Sequence, residues 1–271
     1  MELILIVCGL YLFFKYAAVI VSGLKNRTFP ALPRIPKPPK KYTAKNLITY
    51  TELNKFIFSE PHLLIGGTTG SGKSNLLQWI LLSLTGTPDV NRFILIDIKR
   101  VELSAWRRVP GVQTVTDSLT ACEVLKGVCA YIDTQYRKME RNGERKSRKP
   151  YTVIIIDEIA DLMLSDERKS IEKYLQRIAQ IGRACNVKLI AATQILRHDI
   201  ITLKISSNIT GRIALRCKNA LESRQIIGVP LAESLPQYGE GYFSNSNGLQ
   251  REVIPLITDE QIKTQIENLT P

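Results

Sequence analysis

The stretch of sequence that decides the fold is HLLIGGTTGSGKSNLL, residues 62–77. It joins a short apolar run to a glycine-rich turn and then to the start of an apolar helix. The turn, residues 67–74, matches the phosphate-binding pattern G-x-x-x-x-G-K-[ST], and it lies between a strand and a helix as that pattern requires. The sequence therefore predicts a P-loop within an α/β domain.

The chemistry of a P-loop explains each of these residue types. The glycines let the backbone turn tightly, so that successive N–H groups point at phosphate oxygens, and the following helix adds the positive end of its dipole. Lys73 is expected to reach the β- and γ-phosphates, and the Ser74 hydroxyl to bind Mg²⁺. The predicted nucleotide-binding residues of this segment are Gly67, Thr68, Thr69, Gly70, Ser71, Gly72, Lys73 and Ser74.

A second motif, YTVIIIDEIADLM at residues 151–163, predicts a buried strand that ends in two carboxylates. Ligands of open α/β sheets bind at the carboxyl ends of the strands. Asp157 is the expected partner of Mg²⁺, acting through water, and Glu158 is the expected base that activates the attacking water. The alternative is that this pair caps the segment that follows. The Asp-Glu ending favours ATP hydrolysis over a GTP switch or a kinase.

Apolar strands alternate with amphipathic helices along the rest of the chain, which predicts an α/β fold with a mainly parallel sheet. The predicted strands are residues 62–67, 92–98, 152–158, 187–193 and 212–217, and the predicted helices are residues 73–85, 118–140, 167–185 and 219–226. Gln194 follows one of these strands. It is interpreted either as a sensor of the γ-phosphate or as an ordinary polar residue at a strand end.

The amino-terminal segment predicts a transmembrane anchor. Residues 3–22 contain one charge, Lys15, and twenty helical residues span about 30 Å, the thickness of the hydrocarbon core. Inserting one lysine costs about 3 kcal/mol, which a dozen apolar residues at about 0.3–0.6 kcal/mol each outweigh. The anchor is assigned to residues 1–24. Lys15 is either a polar contact between membrane helices or a snorkelling side chain.

Residues 25–45 form a basic, proline-rich collar with seven cations and no acidic residue. The positive-inside rule places this side in the cytoplasm, so the sequence predicts a single-pass protein of the cell membrane with a cytoplasmic domain at residues 46–271. The formal net charge of the whole chain is +12. That excess indicates either a polyanionic partner, such as nucleic acid or an anionic membrane, or a basic solvated surface.

Several motifs resemble, in order and spacing, the FtsK/SpoIIIE family of DNA translocases: HLLIGGTTGSGKSNLL, FILIDIKRVELS, VIIIDEIADLM, GRACNVKLIAATQ and ITGRIALR. The resemblance covers residues 46–271 and implies a RecA-like ASCE P-loop ATPase fold that uses ATP and Mg²⁺. It also implies a homo-hexameric ring that moves double-stranded DNA through its pore. Arg183 matches the arginine finger that reaches a neighbouring subunit's ATP. The segment with Asp97, Lys99 and Glu102 is expected to be a structural and subunit-contact element.

The same resemblance assigns DNA contacts to two segments that follow strand ends. These predicted DNA-binding residues are Arg197, Lys204, Lys218 and Arg224. Residues 137–149 are richer in cations, but they precede the strand that ends at Asp157. They are therefore expected at the opposite edge of the sheet from the nucleotide, as a solvated loop or as an auxiliary DNA contact.

Other functions share this ATPase fold. Family members usually carry more transmembrane helices and a carboxyl-terminal winged-helix module, so service to a mobile or conjugative element is expected here instead of chromosome segregation. A type VII-like protein secretion motor and a viral genome-packaging ATPase are the alternatives. A membrane scaffold that binds ATP without hydrolysing it is disfavoured by the set of Lys73, Asp157, Glu158 and Arg183.

Overall fold

A computed structural model of the chain describes residues 47–194 and 201–270. The predicted anchor at residues 1–24, the collar at residues 25–45 and Arg197 lie outside these ranges. Within the described ranges, no helix combines the length and the apolar character that a membrane crossing requires.

The described residues form one sheet flanked by helices. The strands are β1 (Leu63–Gly66), β2 (Val90–Ile96), β3 (Val112–Val115), β4 (Tyr151–Ile156), β5 (Val187–Thr193), β6 (Gly211–Ala214), β7 (Glu240–Asn245) and β8 (Gly248–Val253). The helices are α1 (Tyr50–Ser59), α2 (Lys73–Thr85), α3 (Ser118–Asn142), α4 (Ile159–Met163), α5 (Arg168–Ile181), α6 (Leu203–Ser206), α7 (Ala220–Ile227) and α8 (Asp259–Leu269).

The strands lie in the order β3-β2-β4-β5-β1-β6-β7-β8. Neighbours from β3 to β6 pair in parallel, whereas β7 and β8 extend the sheet in antiparallel fashion. Ile65 of β1 is in register with Ala192 of β5 on one side and with Ile213 of β6 on the other. The strand that leads into the P-loop is therefore central, and its two partners lie more than a hundred residues further along the chain.

The central strands are apolar throughout because helices cover both faces of the sheet. Successive side chains of a strand point to opposite faces. Accordingly, Val153 and Ile155 pack in the core beneath α1 and α2, while Ile154 and Ile156 pack in the core beneath α3 and α5. A parallel sheet buried on both faces is expected to show such unbroken apolar runs.

The prediction of a mainly parallel α/β sheet is confirmed. The predicted helix at 73–85 and the predicted strand at 187–193 have the bounds of α2 and β5. The predicted helix at 167–185 was too long: α5 ends at Ile181, and a 3-10 turn, Gly182–Cys185, follows it. Four further parts of the fold, α1, β3, the β7–β8 hairpin and α8, were not predicted from the sequence.

Two basic side chains are buried where β1 and β5 begin. His62 and Lys188 are at most 1% exposed. The His62 Nδ1 atom accepts a hydrogen bond from the Leu189 N–H at 3.0 Å, and Lys188 Nζ donates to the carbonyl oxygens of Ile57 and Pro61 at 2.6 and 3.1 Å. Lys188 thus fixes the end of α1 against β5. Burial, together with the charge of Lys188, lowers the pKa of His62 to about 3.

The buried imidazole predicts that His62 contributes stability which is lost in mild acid. Unfolded histidine has a pKa of about 6.5, so the unfolded chain takes up this proton first, and the contribution of His62 falls as the pH drops below that value. Between pH 7 and pH 5 the contribution of His62 to the free energy of unfolding falls by about 2 kcal/mol. His62→Gln should flatten this dependence. Urea unfolding followed through the buried Trp79 and Trp106 measures it; equal pH slopes in the two proteins would contradict the assignment.

Candidate nucleotide site

The turn between β1 and α2 has the conformation that its glycines allow. Gly70 and Gly72 have φ values of 72° and 95°, in the left-handed region that favours glycine. Gly67 is needed for space, because a Cβ atom there would lie 2.9 Å from the Leu215 Cβ atom. The Thr68 N–H donates to the Arg216 carbonyl at 2.9 Å, which ties the turn to the residues after β6.

Lys73, the first residue of α2, folds back over this turn. Its Nζ atom donates to the carbonyl oxygens of Gly67 and Thr68 at 2.7 and 2.8 Å. Burial lowers the pKa of Lys73 to about 8, although the carboxylates of Glu158 and Asp157 favour its charged form. The ammonium group therefore lies where phosphate oxygens held by the turn would compete for it.

The two carboxylates after β4 have different surroundings. Asp157 lines the cavity beside the P-loop. Glu158 is 6% exposed, and its carboxylate accepts hydrogen bonds from Thr193 Oγ1 at 2.7 Å and from the N–H groups of Gln194 and Ala160 at 2.9 and 3.3 Å. Glu158 is thus the N-cap of α4, as the alternative interpretation of the sequence held. Its catalytic role remains a prediction.

Gln194 connects this edge of the sheet to the P-loop. Its Oε1 atom accepts a hydrogen bond from Thr69 Oγ1, and its N–H group is bonded to Glu158. Side chains from the ends of β1, β4 and β5 are therefore in direct contact. The contact places Gln194 beside the P-loop, and its role as a sensor of the γ-phosphate remains a prediction.

The P-loop opens into a cavity of about 470 Å³, a volume typical of small-molecule sites. Lys73, Ser74, Asp157 and Gln194 line it, as do Lys99 and Glu102. Lys99 and Glu102 are predicted from the sequence to be part of a structural and subunit-contact element, whereas the structure places both in the wall of the cavity.

One wall of the cavity is apolar and was not predicted. Val101, Tyr238 and Leu256 are 70%, 66% and 64% exposed, and all three line the cavity. Asn75 of α2 holds part of this wall, because its side chain donates to the Pro255 carbonyl and accepts from the Ile257 N–H. Exposed apolar side chains beside a phosphate-binding turn are suited to the flat face of a nucleobase.

The residues present fit Mg²⁺. Ser74 and Asp157 line one cavity and offer a hydroxyl and a carboxylate, the hard oxygen ligands that this ion prefers. Burial, followed by the nearby carboxylates of Glu102, Asp97 and Glu158, raises the pKa of Asp157 to about 7. A divalent cation would offset that repulsion.

Asp97 has a structural role in the adjoining loop. It is 3% exposed, and its Oδ2 atom accepts a hydrogen bond from the Leu103 N–H at 2.9 Å. Gln78 of α2 donates to the Glu102 carbonyl. The loop between β2 and β3 is thus held against the first turns of α2, which places Glu102 beside the P-loop.

The remaining predicted residues lie away from this cavity. Arg183 is exposed in the turn before β5, whereas Gln194 follows the other end of that strand. A seven-residue strand spans about 20 Å, so Arg183 cannot reach the nucleotide site of its own chain. Lys204, Lys218 and Arg224 are exposed on α6, after β6 and on α7. Their contacts with DNA remain predictions, as does that of Arg197.

The P-loop between a central parallel strand and a helix, with acidic and amide side chains at the neighbouring strand ends, defines a P-loop ATPase. The sequence profile of the FtsK/SpoIIIE family matches residues 43–150 and 139–198, together more than half of the chain. The chain belongs to this family.

Known proteins agree with this assignment. The chain is 34% identical over 236 residues to the DNA translocase FtsK of Helicobacter pylori, and the match takes in 80% of this chain and 27% of that protein. The chain thus spans little more than a quarter of that relative. The pCW3 conjugation coupling protein TcpA has a similar fold, with a TM-score of 0.68 at 22% identity over 77% of this chain and 65% of that one. The cytoplasmic domain of the Thermomonospora curvata type VII secretion ATPase EccC gives a TM-score of 0.61 at 24% identity over 78% and 28%.

The two interpretations of Glu158 predict different results for Glu158→Gln. If the carboxylate activates water, this variant should bind ATP but turn over at least about 100-fold more slowly. Thr193→Val is the matched control, because it removes the hydrogen bond from Thr193 Oγ1 to Glu158 and leaves the carboxylate in place. ATP binding and phosphate release should be measured separately, with Lys73→Ala as the reference for lost binding. Normal turnover by Glu158→Gln would mean that Glu158 only caps α4.

The apolar wall predicts a contribution to ATP affinity that does not come from the phosphates. Tyr238→Ala should weaken ATP binding about tenfold, the effect of losing about 1.4 kcal/mol of base contact. The affinity for inorganic triphosphate should stay unchanged, since the P-loop is intact. Leu221→Ala is the control, because Leu221 is 64% exposed and does not line the cavity. An equal loss for both ligands would contradict a base-binding wall.

Proposed function

We propose that this chain is a motor that hydrolyses ATP to move double-stranded DNA through a homo-hexameric ring. The observation that carries the proposal is the convergence of Lys73, Asp157 and Gln194 on one cavity whose other wall is apolar. Phosphates and a base fit its two sides. Membership of the FtsK/SpoIIIE family, with a DNA translocase as a relative, favours DNA as the substrate.

The chain's own residues account for the steps of hydrolysis. The N–H groups of the P-loop bind phosphate oxygens, and Lys73 exchanges its carbonyl partners for them. Ser74, and Asp157 through water, would hold Mg²⁺, which would supply positive charge beside the phosphates. Glu158 orients the attacking water and accepts its proton. Gln194, in contact with both Thr69 and Glu158, transmits the state of the site to the segment that follows it in sequence.

Arg183 completes the site of another subunit in this proposal. The nucleotide site of the same chain lies at the other end of β5. The Arg183 side chain is exposed, so a second copy of the chain could contact it. An arginine that approaches the transferred phosphoryl group stabilises the charge that develops there. Hydrolysis would then depend on assembly, as a ring-shaped motor requires.

A translocase must hold DNA through its phosphates, because it has to pass over any sequence. The exposed Lys204, Lys218 and Arg224 suit that task, and Arg197 joins them from the sequence. Residues 1–24 would anchor the motor in the cell membrane with residues 46–271 in the cytoplasm. Service to a mobile or conjugative element is the process proposed for it. A protein secretion motor and a genome-packaging ATPase are the alternatives.

Double-stranded DNA should stimulate the ATPase activity of the chain, and Arg224→Ala should reduce that stimulation while sparing the basal rate. Binding should weaken to a similar extent for DNA of different sequence, and its salt dependence should become shallower, because a phosphate contact is lost. Phosphate release with and without DNA, and DNA binding at several salt concentrations, measure this.

Lys126→Ala is the matched control for that experiment, since Lys126 is an exposed cation within α3. It should leave the stimulation intact. An ATPase that DNA of any sequence fails to stimulate would contradict the translocase and would favour the secretion motor.

A further inference from the structure

The basic loop, which we define as residues 143–149, is fixed to the turn that carries Arg183. The Ser147 N–H donates to the Ala184 carbonyl at 2.7 Å. The side-chain amide of Asn186 donates to the carbonyls of Ser147 and Lys149 at 3.2 and 2.6 Å. Ser147 is 8% exposed although the four cations of the loop are exposed. The loop is therefore anchored by its backbone and presents its charges outward.

Asn186 belongs to both parts of this arrangement. It ends the 3-10 turn Gly182–Cys185 in a left-handed conformation, with φ at 54°, and its N–H bonds to the Arg183 carbonyl at 3.3 Å. Asparagine is one of the few non-glycine residues that tolerate this conformation. Its side-chain amide is hydrogen-bonded to the backbone of the basic loop. The positions of Arg183 and of the loop therefore depend on the same residue.

The cations of this region are available to a partner. The Arg148 Nε atom lies 3.4 Å from Glu144 Oε1, and the Lys146 Nζ atom lies 6.0 Å from the centre of the Tyr151 ring. Among the described residues, the ion pairs include none for Arg145, Lys149 or Arg183. All of these cations lie at the edge where β4 and β5 begin, opposite the P-loop of the same chain.

We infer that the basic loop and Arg183 form one interface element that docks on the nucleotide-bearing edge of a second copy of this chain. The inference rests on the proposed function, in which Arg183 acts on a neighbour's ATP. The receiving edge carries the carboxylates of Asp157 and Glu102 beside Lys73 and Lys99. The phosphates of bound ATP would add negative charge to this edge, which would make it complementary to the cations of the loop. A loop bonded to the turn of Arg183 must accompany that arginine to the same surface. DNA is the competing partner, and the experiment separates the two.

The direct test uses a photo-crosslinking amino acid in place of Lys146 in the full 271-residue chain. Isotopically heavy and light copies are mixed in the presence of ATP and DNA. Crosslinks should join the two isotopic forms and should map to residues 69–75 or 99–102 of the other copy. A crosslinker at Lys126, about 24 Å from Asn142 along α3, is the matched control and should not yield them. Crosslinks from position 146 to DNA alone would overturn the inference.

The functional arm uses Asn186→Gly, which keeps the left-handed backbone but removes the amide. This variant should bind ATP normally and turn over at least about tenfold more slowly. A variant with reversed charges at Arg145, Lys146 and Lys149 should behave in the same way. Mixing either variant with Glu158→Gln should restore part of the activity, because some interfaces then pair an intact loop with an intact Glu158. Lys126→Glu should have no effect. Urea unfolding establishes that each variant is folded.

Arg183→Ala in the same mixing experiment tests the composite site separately from the docking of the basic loop. If Arg183→Ala loses turnover and is rescued by Glu158→Gln while the loop variants turn over normally, the inference about the loop is wrong and the composite site stands. If Arg183→Ala itself keeps normal turnover, the composite site fails, and the inference fails with it. If the loop variants lose only DNA binding, the basic loop contacts DNA and not a second copy of the chain.

Discussion

The hydrogen bonds of the Glu158 carboxylate hold together the edge of the sheet on which the rest of the site depends. They join the end of β4 to Thr193 and Gln194 at the end of β5, and Gln194 in turn contacts Thr69 of the P-loop. The bond between Glu158 and Thr193 is buried and the bond from the Gln194 N–H is partly buried, so water competes little for these two, whereas the bond between Thr69 and Gln194 is exposed. The hydrogen bonds therefore form a continuous path from Thr69 of the P-loop to Gln194 and Glu158.

The opposite edge of the sheet is organised by a different set of contacts. Lys188 fixes the end of α1, and Asn186 joins the Arg183 turn to the basic loop. One edge thus carries carboxylates and a phosphate-binding turn, and the other carries exposed cations on a backbone tied by hydrogen bonds. In the proposed assembly, unlike edges of neighbouring copies would meet head to tail, as a heterologous interface requires.

The parts of the molecule that the sequence predicted are those with local causes. The P-loop glycines, the apolar run of β4 and the bounds of α2 follow from short-range conformational rules. The β7–β8 hairpin has a Ser-Asn turn before Gly248, and α8 begins with a capping box of Thr258 and Gln261, so both had signals that could have been used. The apolar wall had none. Leu256 lies between Pro255 and Ile257, whose backbones Asn75 holds through contacts across about 180 residues of sequence.

The central position of β1 also has a consequence for the synthesis of the chain. The strand before the P-loop leaves the ribosome early, but its neighbours β5 and β6 end at residues 193 and 214. Until those have emerged, β1 has no partner on either side, and the wall around Leu256 follows later still. Non-local pairing of this kind is slow and leaves apolar surface open to aggregation. A nascent chain of this protein thus carries its phosphate-binding residues long before it can hold a nucleotide, and an interrupted copy remains inert.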